Sequence, residues 1–419
     1  MAHTVNTAGL AANRLGELLE LVRERNPFQR ARFEGLDLGG QPTVEDLPTL
    51  TKRELVRDQE RNPPFGTNLT YPLEQYTQLH QTSGTTGPPL RVLDTAEDWA
   101  WWRGLFAHTL SVAGVRPGDR VALAFSFGPH VQFWAAKEGL QELGVMPVPL
   151  GGMTSMQRLL TIAEVEATAV ACTPTYALRL LEVAVAQGLE HALESIGRVI
   201  CTGEPGASLP AVCSRIEEGF EARCLDHAGL TEAGPFGYPC LEGGGLHVYE
   251  DEFACEILDE ELRPTPSGER GELVLTAYRR TGFPVLRYRT GDVVVNSSAS
   301  CPAGHSDRWL PGGILGRTDD MVVIRGMNVY PSSIEEAVRR VSGSGEFRIT
   351  FYSEPSGMDE IKLEVELPQG AAARKLHELM RQQLGLRVRV VPVTPGVLPR
   401  KEGKARRVVD ERRARWSEA

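Results

Sequence analysis

Residues 120–172 read RVALAFSFGPHVQFWAAKEGLQELGVMPVPLGGMTSMQRLLTIAEVEATAVAC, and this stretch decides the fold class. Short apolar runs rich in β-branched residues alternate in it with segments that repeat apolar residues every three to four positions. One of these segments begins with a capping box, because Thr154 is followed three residues later by Gln157. Strands separated by helices in this way predict βαβ units and therefore a parallel sheet.

The alternation continues outward from this stretch. Upstream, DWAWWRGLFAHTLSVAG at 98–114 predicts a helix, and downstream further strands follow predicted helices. Residues 236–315 lose the helical period and predict smaller antiparallel sheets, whereas the last hundred residues alternate again. We therefore expect an α/β protein. Its large N-terminal domain (1–318) would have a parallel-sheet αβ core and a β-rich subdomain, followed by a small mobile C-terminal α+β domain (319–419).

Composition narrows the class of protein. The net charge of −10 over 419 residues argues against wholesale binding of nucleic acid or of an anionic membrane. The sequence contains no apolar run near the ~20 residues that a membrane helix needs, and its N-terminus does not resemble a secretion signal. Seven cysteines in mostly apolar segments are typical of a cytoplasmic protein, not of a disulfide framework. A homodimer is left open, because the sequence does not fix the oligomeric state.

The segment Gln81–Pro89, QTSGTTGPP, is dense in small hydroxyl residues and glycine. Backbone N–H groups and hydroxyls in such a run can approach a polyphosphate closely. The spacing is not that of a Walker A loop. A plain polar turn is the alternative, and so dense a run disfavours it. The candidate phosphate-binding residues are Thr82, Ser83, Gly84, Thr85, Thr86 and Gly87.

Further motifs follow this loop in a fixed order: GEP at 203–205, GLTE at 229–232, YRTGD at 288–292, GRTDD at 316–320, RGMNVYP at 325–331 and PRKEGKARR at 399–407. Together with TSGTTG they resemble the adenylate-forming superfamily of acyl-CoA synthetases. Within it the chain is most similar to phenylacetate–CoA ligases and the related coenzyme F390 synthetases, on RYRTGD, GRTDDMVVIRGMNVYPSSIEE and a Cys-Pro-x-Gly stretch. The resemblance covers roughly residues 75 to 410, and the ordered set is far more specific than any single motif.

The resemblance implies that ATP, with Mg²⁺, activates a carboxylic acid as an acyl adenylate, and that the acyl group passes to the thiol of coenzyme A. Such a reaction requires charge neutralisation and in-line positioning. Glu232 would hold Mg²⁺, Asp292 would accept the ribose hydroxyls, and Arg317 would bind ribose or phosphate. Lys404 would bridge the acid and the α-phosphate, with Lys401 as a rival by position. A helix cap or turn role is the alternative for the two acids.

Other candidate nucleotide-binding residues come from the same motifs: Gly203, Glu204, Pro205, Asp226, His227, Ala228, Gly229, Thr231, Arg325 and Gly326. Two positions depart from the family pattern. Pro88 stands where these loops often carry lysine, so one phosphate contact is missing. Ala228 stands where a tyrosine often stacks near the adenylate. His227 either replaces that tyrosine or has a structural role.

A hinge at Asp319 would let the C-terminal domain take two poses, one for each half-reaction. The loop that carries Lys404, called the lysine loop, would serve adenylation in the first pose. In the second, the loop at Arg325 and Gly326 would face the incoming thiol, and Gly326 would allow a close backbone approach.

A second metal is predicted from thiolate and imidazole residues that suit structural zinc. The candidate ligands are Cys240, His247, Cys301 and His305. The resemblance supports a metal knuckle at Cys301-Pro-Ala-Gly, where Ala303 replaces a residue that is often cysteine in relatives. The spacing is unusual, and buried cysteines with unrelated turn residues are an equal alternative.

The acid pocket would combine aromatic and small residues, which suit an aryl or arylacetic acid, although phenylalanine at such positions is more often core. Its candidate residues are Phe125, Phe127, His130, Cys201, Ala228, Pro235 and Phe236. Two further hypotheses stay open. The adenylating enzyme could deliver its acyl or nucleotidyl group to a carrier protein, an amine or a cofactor, or the chain could bind nucleotide without catalysis.

Overall fold

A computed structural model describes residues 7–82, 88–126, 128–204, 206–242, 244–318, 322–324, 327–342, 345–354, 358–368, 370–384, 388–400 and 407–412. The chain separates into two compact units. The first unit is Met1–Gly152 with Asp226–Gly313, and the second is Met153–Leu225 with Ile314–Ala419. The domain boundary at 318/319 stays a prediction. No described helix has the length and apolar character needed to cross a membrane.

The helices carry local signals that were visible in the sequence. The N-cap of α6 is Thr154, whose hydroxyl accepts the N–H of Gln157 while the Gln157 side chain accepts the N–H of Thr154, as predicted. The helices are α1 (Thr7–Arg25), α2 (Pro27–Arg32), α3 (Lys52–Arg61), α4 (Ala96–Val112), α5 (Val131–Glu142), α6 (Ser155–Glu164), α7 (Pro174–Gln187), α8 (Pro210–Phe220), α9 (Pro331–Ser342) and α10 (Ala371–Leu384).

The strands are short, and those of the region 236–315 follow one another without helices, as predicted. They are β1 (Tyr76–Gln81), β2 (Arg91–Thr95), β3 (Arg120–Leu123), β4 (Met146–Pro149), β5 (Ala169–Cys172), β6 (Arg198–Cys201), β7 (Arg223–Asp226), β8 (Ala228–Leu230), β9 (Gly234–Pro239), β10 (Leu246–Val248), β11 (Phe253–Leu258), β12 (Arg270–Ala277), β13 (Tyr288–Val295), β14 (Trp309–Leu310), β15 (Gly316–Arg317), β16 (Val322–Ile324), β17 (Met327–Val329), β18 (Phe347–Ser353), β19 (Asp359–Glu366), β20 (Val388–Val393) and β21 (Val408–Asp410).

In the first unit, β3 and β4 pair in parallel, with Arg120 opposite Met146. The hairpin β1–β2 is antiparallel. Two antiparallel sheets come from the region after residue 226: one has the order β14-β10-β9-β8, and the other runs β11-β12-β13. This combination of a parallel core and antiparallel sheets confirms the predicted α/β class.

In the second unit, β5 and β6 pair in parallel, with Cys172 opposite Cys201, and β7 lies next to β6. The described residues from 322 to 412 form what we call the C-terminal module. Its sheet has the order β20-β19-β18-β21, with antiparallel and parallel pairs. Both helices α9 and α10 contribute to its apolar core, which includes Ile334, Phe351 and Leu376. The predicted C-terminal α+β fold is thereby confirmed.

Candidate active site

The residues that flank the phosphate loop, Thr82 and Leu90, are hydrogen-bonded to each other. The N–H of Thr82 donates to the carbonyl of Leu90 at 3.1 Å, and the N–H of Leu90 donates to the Thr82 hydroxyl at 3.1 Å. On the other side, the N–H of Gln81 donates to the carbonyl of Pro129. Both stems of the loop are therefore fixed in the first unit. The predicted residues Ser83, Gly84, Thr85, Thr86 and Gly87 lie outside the described residues.

Glu232 lies in a turn whose backbone is held by a buried ion pair. The Arg280 guanidinium donates to the carbonyl of Thr231 at 2.7 Å and to Asp94 Oδ1 at 2.8 Å. Arg280 and Asp94 are both 0% exposed. At Gly234 the backbone has φ +121°, and a Cβ there would lie 2.6 Å from the Trp101 ring. The loop that carries Glu232 therefore has little freedom to move.

The buried carboxylate of Glu232 has a partner that the sequence reasoning missed. Its Oε1 lies 3.1 Å from Nζ of Lys52, which stands at the start of α3. The two residues are far apart in sequence, and neither periodicity nor motif connects them. Pro88 was the one available hint, since it leaves the loop without its usual lysine.

Asp292 is equally fixed on β13. Its N–H donates to the Thr290 hydroxyl at 3.0 Å, and that hydroxyl donates to the carbonyl of Leu273. The neighbouring Gly291 donates its N–H to Glu272, and the same carboxylate binds Arg289. Asp292 itself is buried. The backbone that carries the Asp292 carboxylate is therefore held in place.

The ring of His227 makes its contacts within the first unit. Its Nδ1 lies 2.8 Å from the carbonyl of Gly237, so Nδ1 carries the proton and Nε2 is the acceptor. Burial lowers the pKa of His227 to about 4, and its ring packs edge-on against Phe106. These contacts favour the structural role over adenine stacking. Asp226, Ala228, Gly229 and Thr231 lie in the same segment, and Asp226 accepts the N–H of His227.

The residues predicted to line the acid pocket differ in burial and in the elements that carry them. Pro235 and Phe236 are buried on β9, next to Ala228 on β8. Phe125 is half-buried, and the exposed His130 lies at the N-cap of α5, with Nδ1 3.2 Å from the carbonyl of Gln81. Phe127 lies outside the described residues.

Cys201 belongs to the second unit. It is fully buried on β6, where its thiol contacts Cys172 and Cys224, and these hydrogen bonds together with burial raise its pKa.

The GEP motif in the second unit follows β6. Gly203 has φ +90°, and the Glu204 carboxylate accepts the N–H of Thr175 near the start of α7 at 2.9 Å. Burial raises the pKa of Glu204. Arg317 is half-buried on β15. The predicted residues Pro205, Asp319, Arg325, Gly326, Lys401 and Lys404 lie outside the described residues.

The predicted metal ligands meet in the first unit. The ligand atoms of Cys240, His247 and Cys301 all lie within 4.8 Å of one another, and all three residues are buried. The two sulfur atoms are 3.5 Å apart. Two thiolates on one tetrahedral zinc lie about 3.8 Å apart. The fourth candidate, His305, is exposed, and its ring centre is 4.8 Å from that of His247.

His247 is oriented as a metal ligand would be. Its Nδ1–H donates to the carbonyl of Asp307 at 3.1 Å, which fixes the tautomer. Its buried Nε2 has no hydrogen-bond partner among the described residues. Burial also lowers the pKa of His247, so the ring is neutral and Nε2 can accept a metal. An unpaired buried acceptor beside two thiols fits a zinc ion.

Comparison with known proteins agrees with the resemblance stated from the sequence. Residues 326–412 match the model of the AMP-binding enzyme C-terminal domain. The phenylacetate–coenzyme A ligase of Thermus thermophilus is 32% identical, over 96% of this chain and 96% of its own length. The Escherichia coli enzyme of the same name is 30% identical, over 96% and 94%.

Solved structures give the same result. A crystal structure of 2-hydroxyisobutyryl-CoA ligase in the postadenylation state with 2-HIB-AMP is 31% identical and has a TM-score of 0.89, over 97% of this chain and 90% of that one. The same enzyme with 2-HIB-AMP and CoA in the thioesterification state has a TM-score of 0.72, over 100% and 93%.

Proposed function

Since the chain belongs to the family of the phenylacetate–coenzyme A ligases, we propose that it is an AMP-forming acid–CoA ligase. In the first half-reaction a carboxylate attacks the α-phosphate of ATP, giving an acyl adenylate and pyrophosphate. In the second, the thiol of coenzyme A displaces AMP. The observation that carries the proposal is the match over nearly the whole chain. The buried residues Glu232 and Asp292 lie in the GLTE and YRTGD motifs on which the resemblance rests.

The roles follow from the chemistry of each residue. Glu232 would hold Mg²⁺, which prefers carboxylate and water ligands, and its buried carboxylate already lies beside a cation. Mg²⁺ would neutralise phosphate charge. Asp292 would accept the ribose hydroxyls, and the hydroxyls and N–H groups at 82–87 would bind the β- and γ-phosphates. Lys404 would stabilise the α-phosphate, with Asp319 as the hinge.

The acid is proposed to be an aryl or arylacetic acid. The named activity of the curated relatives supports this, and so does the half-buried Phe125 among the pocket candidates. A small branched hydroxy acid is the second candidate, because the similar solved enzyme is a 2-hydroxyisobutyryl-CoA ligase. Each extra buried methylene gains only ~0.8 kcal/mol, and overfilling a closed pocket costs more. Long fatty acids are therefore disfavoured.

Pyrophosphate release tests the proposal directly. Purified protein with Mg·ATP is supplied with phenylacetate, benzoate, 2-hydroxyisobutyrate or palmitate, with and without coenzyme A. We expect AMP and pyrophosphate as products, an acyl-CoA when coenzyme A is present, and the highest kcat/KM for an aromatic acid. Formation of ADP and phosphate would contradict the reaction, and a preference for palmitate would contradict the pocket assignment.

The same assay separates the alternatives. A carrier protein, an amine or a cofactor as the true acceptor would give pyrophosphate without acyl-CoA. Nucleotide binding without pyrophosphate release would support a catalytically silent protein. Glu232→Gln serves as the matched control for the proposed Mg²⁺ ligand in this assay, because it keeps the shape of the side chain and removes its charge.

We further propose a structural zinc ion on Cys240, His247 and Cys301, with His305 as the fourth ligand. Purified protein should contain about one zinc per chain, and Cys301→Ser should lose it and lower the Tm. Cys255→Ser, at a cysteine outside the cluster, is the control and should retain zinc. Metal-free protein with an unchanged Tm would reject the site.

Two broader features are also proposals. None of the seven cysteines forms a disulfide, which fits the reducing cytoplasm, where ATP and coenzyme A are available. A homodimer is a hypothesis that light scattering at micromolar protein concentration would decide.

A further inference from the structure

The contact between Lys52 and Glu232 is the starting observation. The Glu232 carboxylate is buried, while the Lys52 side chain is 37% exposed and reaches it from the start of α3. A half-exposed ion pair adds little stability. However, a buried carboxylate without any partner would be strongly unfavourable. In the absence of a metal, the ammonium therefore compensates the charge of the residue proposed to bind Mg²⁺.

The backbone below Lys52 is held in place on both sides. The N–H of Leu50 donates to the carbonyl of Arg287 at 2.9 Å, and the N–H of Arg289 donates to the carbonyl of Leu50 at 2.8 Å. Thr51 then caps α3, with its N–H and its hydroxyl both donating to Glu54. The start of α3 is thereby joined to β13, the strand that carries Asp292.

The second half of α3 is joined to the phosphate loop. Gln59 donates through Nε2 to the carbonyl of Arg91 at 2.6 Å and accepts the N–H of Arg91 at 3.0 Å. Arg91 begins β2, directly after the residue that closes the loop, and it pairs with Gln81 on β1. Helix α3 thus bridges the strand of Asp292 and the stem of the phosphate loop, which gives its first residue a fixed backbone between two nucleotide-binding motifs.

The side chain of Lys52, by contrast, has four rotatable carbon bonds. When Mg²⁺ takes the Glu232 carboxylate, the half-exposed ammonium loses its partner and is free to pair with another anion. A polyphosphate is the anion that arrives with the metal. Its loop lacks a lysine because position 88 is proline. An ammonium supplied by α3 would replace that missing charge.

We propose that Lys52 is a phosphate-binding residue that exchanges partners, pairing with Glu232 in the metal-free protein and with the polyphosphate of ATP or pyrophosphate when Mg²⁺ occupies Glu232. This inference rests on the proposed function, because it assigns a further residue to the same nucleotide site. No bond is made or broken by Lys52. It contributes one charge.

The exchange makes two opposite predictions for binding in the absence of catalysis. With Mg²⁺ present and no acid substrate, Lys52→Met should weaken the binding of ATP and of pyrophosphate by roughly tenfold, the scale of one charge-assisted hydrogen bond. In EDTA, where Lys52 pairs with Glu232, Glu232→Gln should strengthen the binding of both, since it frees the ammonium. Isothermal titration calorimetry measures these affinities. Comparing ATP with pyrophosphate shows whether the site binds the phosphate groups alone.

Metal binding gives the complementary readout. Mn²⁺ titrated into nucleotide-free protein, with free Mn²⁺ followed by electron paramagnetic resonance, should bind Lys52→Met several-fold more tightly than wild type, about the scale of one removed surface charge. Lys52→Arg should keep phosphate binding within about threefold, because it keeps the charge.

Arg53→Met is the matched control, because Arg53 is the next residue of α3, is exposed and loses the same charge. Equal effects of Lys52→Met and Arg53→Met on both affinities would overturn the proposal. If Lys52→Met does not fold, Lys52→Met with Glu232→Gln removes the unpaired carboxylate and must still bind phosphate weakly. Wild-type protein that shows the expected binding but forms no acyl adenylate would contradict the proposed function and leave the Lys52 assignment standing.

Discussion

Arginines anchor both the turn that carries Glu232 in the first unit and the C-terminal module in the second, but these arginines are buried to different degrees. Arg280 and its partner Asp94 are 0% exposed. Arg400, which joins the C-terminal module to Glu182 on α7, is 24% exposed, and Glu182 is 20% exposed. A second link is Arg407, which is 11% exposed and donates to the Thr175 hydroxyl at 3.1 Å.

The difference indicates which contacts are permanent. A fully buried ion pair cannot open without exposing an uncompensated charge, so the surroundings of Glu232 form a fixed frame. The C-terminal module has its own apolar core. Its contacts to α7 include polar groups that water can replace at modest cost. We infer that the frame around Glu232 is constant during catalysis, whereas the contact between module and α7 can be exchanged.

Replacing Arg280 tests the fixed frame and should have the largest effect. Arg280→Met leaves Asp94 buried without its partner and frees the carbonyl of Thr231. We expect the free energy of unfolding to fall by about 3–5 kcal/mol, measured by urea denaturation. Arg279→Met is the control at the neighbouring, exposed arginine, and it should change stability by less than ~0.5 kcal/mol. Similar losses for the two variants would show that the buried pair has no special role.

Variants of the lysine loop test whether the C-terminal part of the chain changes its contacts between the two half-reactions. Lys404→Ala should slow adenylation by roughly 10²–10³-fold, the scale of one lost electrostatic stabiliser. It should leave thioester formation from supplied acyl adenylate nearly intact, and Lys401→Ala should affect neither step strongly. Asp319→Pro, which fixes φ at the proposed hinge, should show the reverse pattern. An equal slowing of both half-reactions by Lys404→Ala would contradict the two-pose hypothesis.

His227 tests whether the frame is sensitive to acid. Its folded pKa of about 4 lies below the unfolded value of 6.5. As the pH falls from 6.5 towards 4, the unfolded chain therefore gains a proton that the folded protein excludes, and stability is lost. At pH 5 this costs about 2 kcal/mol relative to pH 7.

His227→Asn removes the titrating ring and keeps an N–H donor for Gly237. Urea denaturation at the two pH values should show a smaller acid-induced loss for His227→Asn than for wild type. His191→Asn, at an exposed histidine, is the control and should behave as wild type does. Identical pH profiles for all three proteins would show that the ring of His227 titrates normally.

Local signals made much of the fold predictable. The capping box at Thr154 and the alternation of short apolar runs with helical periods depend on residues close in sequence, and the structure confirms both. A cluster of Cys240, His247, Cys301 and His305 was predicted from residue types and from the family resemblance, and the ligand atoms of the first three do meet.

Long-range pairing was not predictable. Lys52 and Glu232 meet because Leu50 pairs with β13 and because Arg280 fixes the turn at Thr231. Each of these contacts joins segments far apart in sequence, and an ion pair leaves no periodic trace in either segment. His227 shows a different limit: the motif gave its position, but only the carbonyl of Gly237 shows that the ring is used structurally.

The smallest expected effect concerns Glu182, and it decides whether the contact between module and α7 is exchangeable. Arg400 donates to Glu182 at 3.1 Å, but it also makes two hydrogen bonds to Glu366, which is 1% exposed and accepts the N–H groups of Gly396 and Leu398. Glu182→Gln therefore weakens the contact to α7, together with the partly exposed pair that Glu182 makes with Arg179 inside α7, while Glu366→Gln weakens the interior of the module.

For Glu182→Gln we expect a change of at most ~1 kcal/mol, which is about a fivefold shift in a local opening equilibrium. Hydrogen exchange should accelerate in α7 and β20, while global unfolding stays unchanged. Glu366→Gln should lower global stability, because buried donors lose an ionised acceptor. If Glu182→Gln lowered global stability as much as Glu366→Gln does, the contact would belong to the fixed structure. The distinction between a constant frame and an exchangeable contact would then fail.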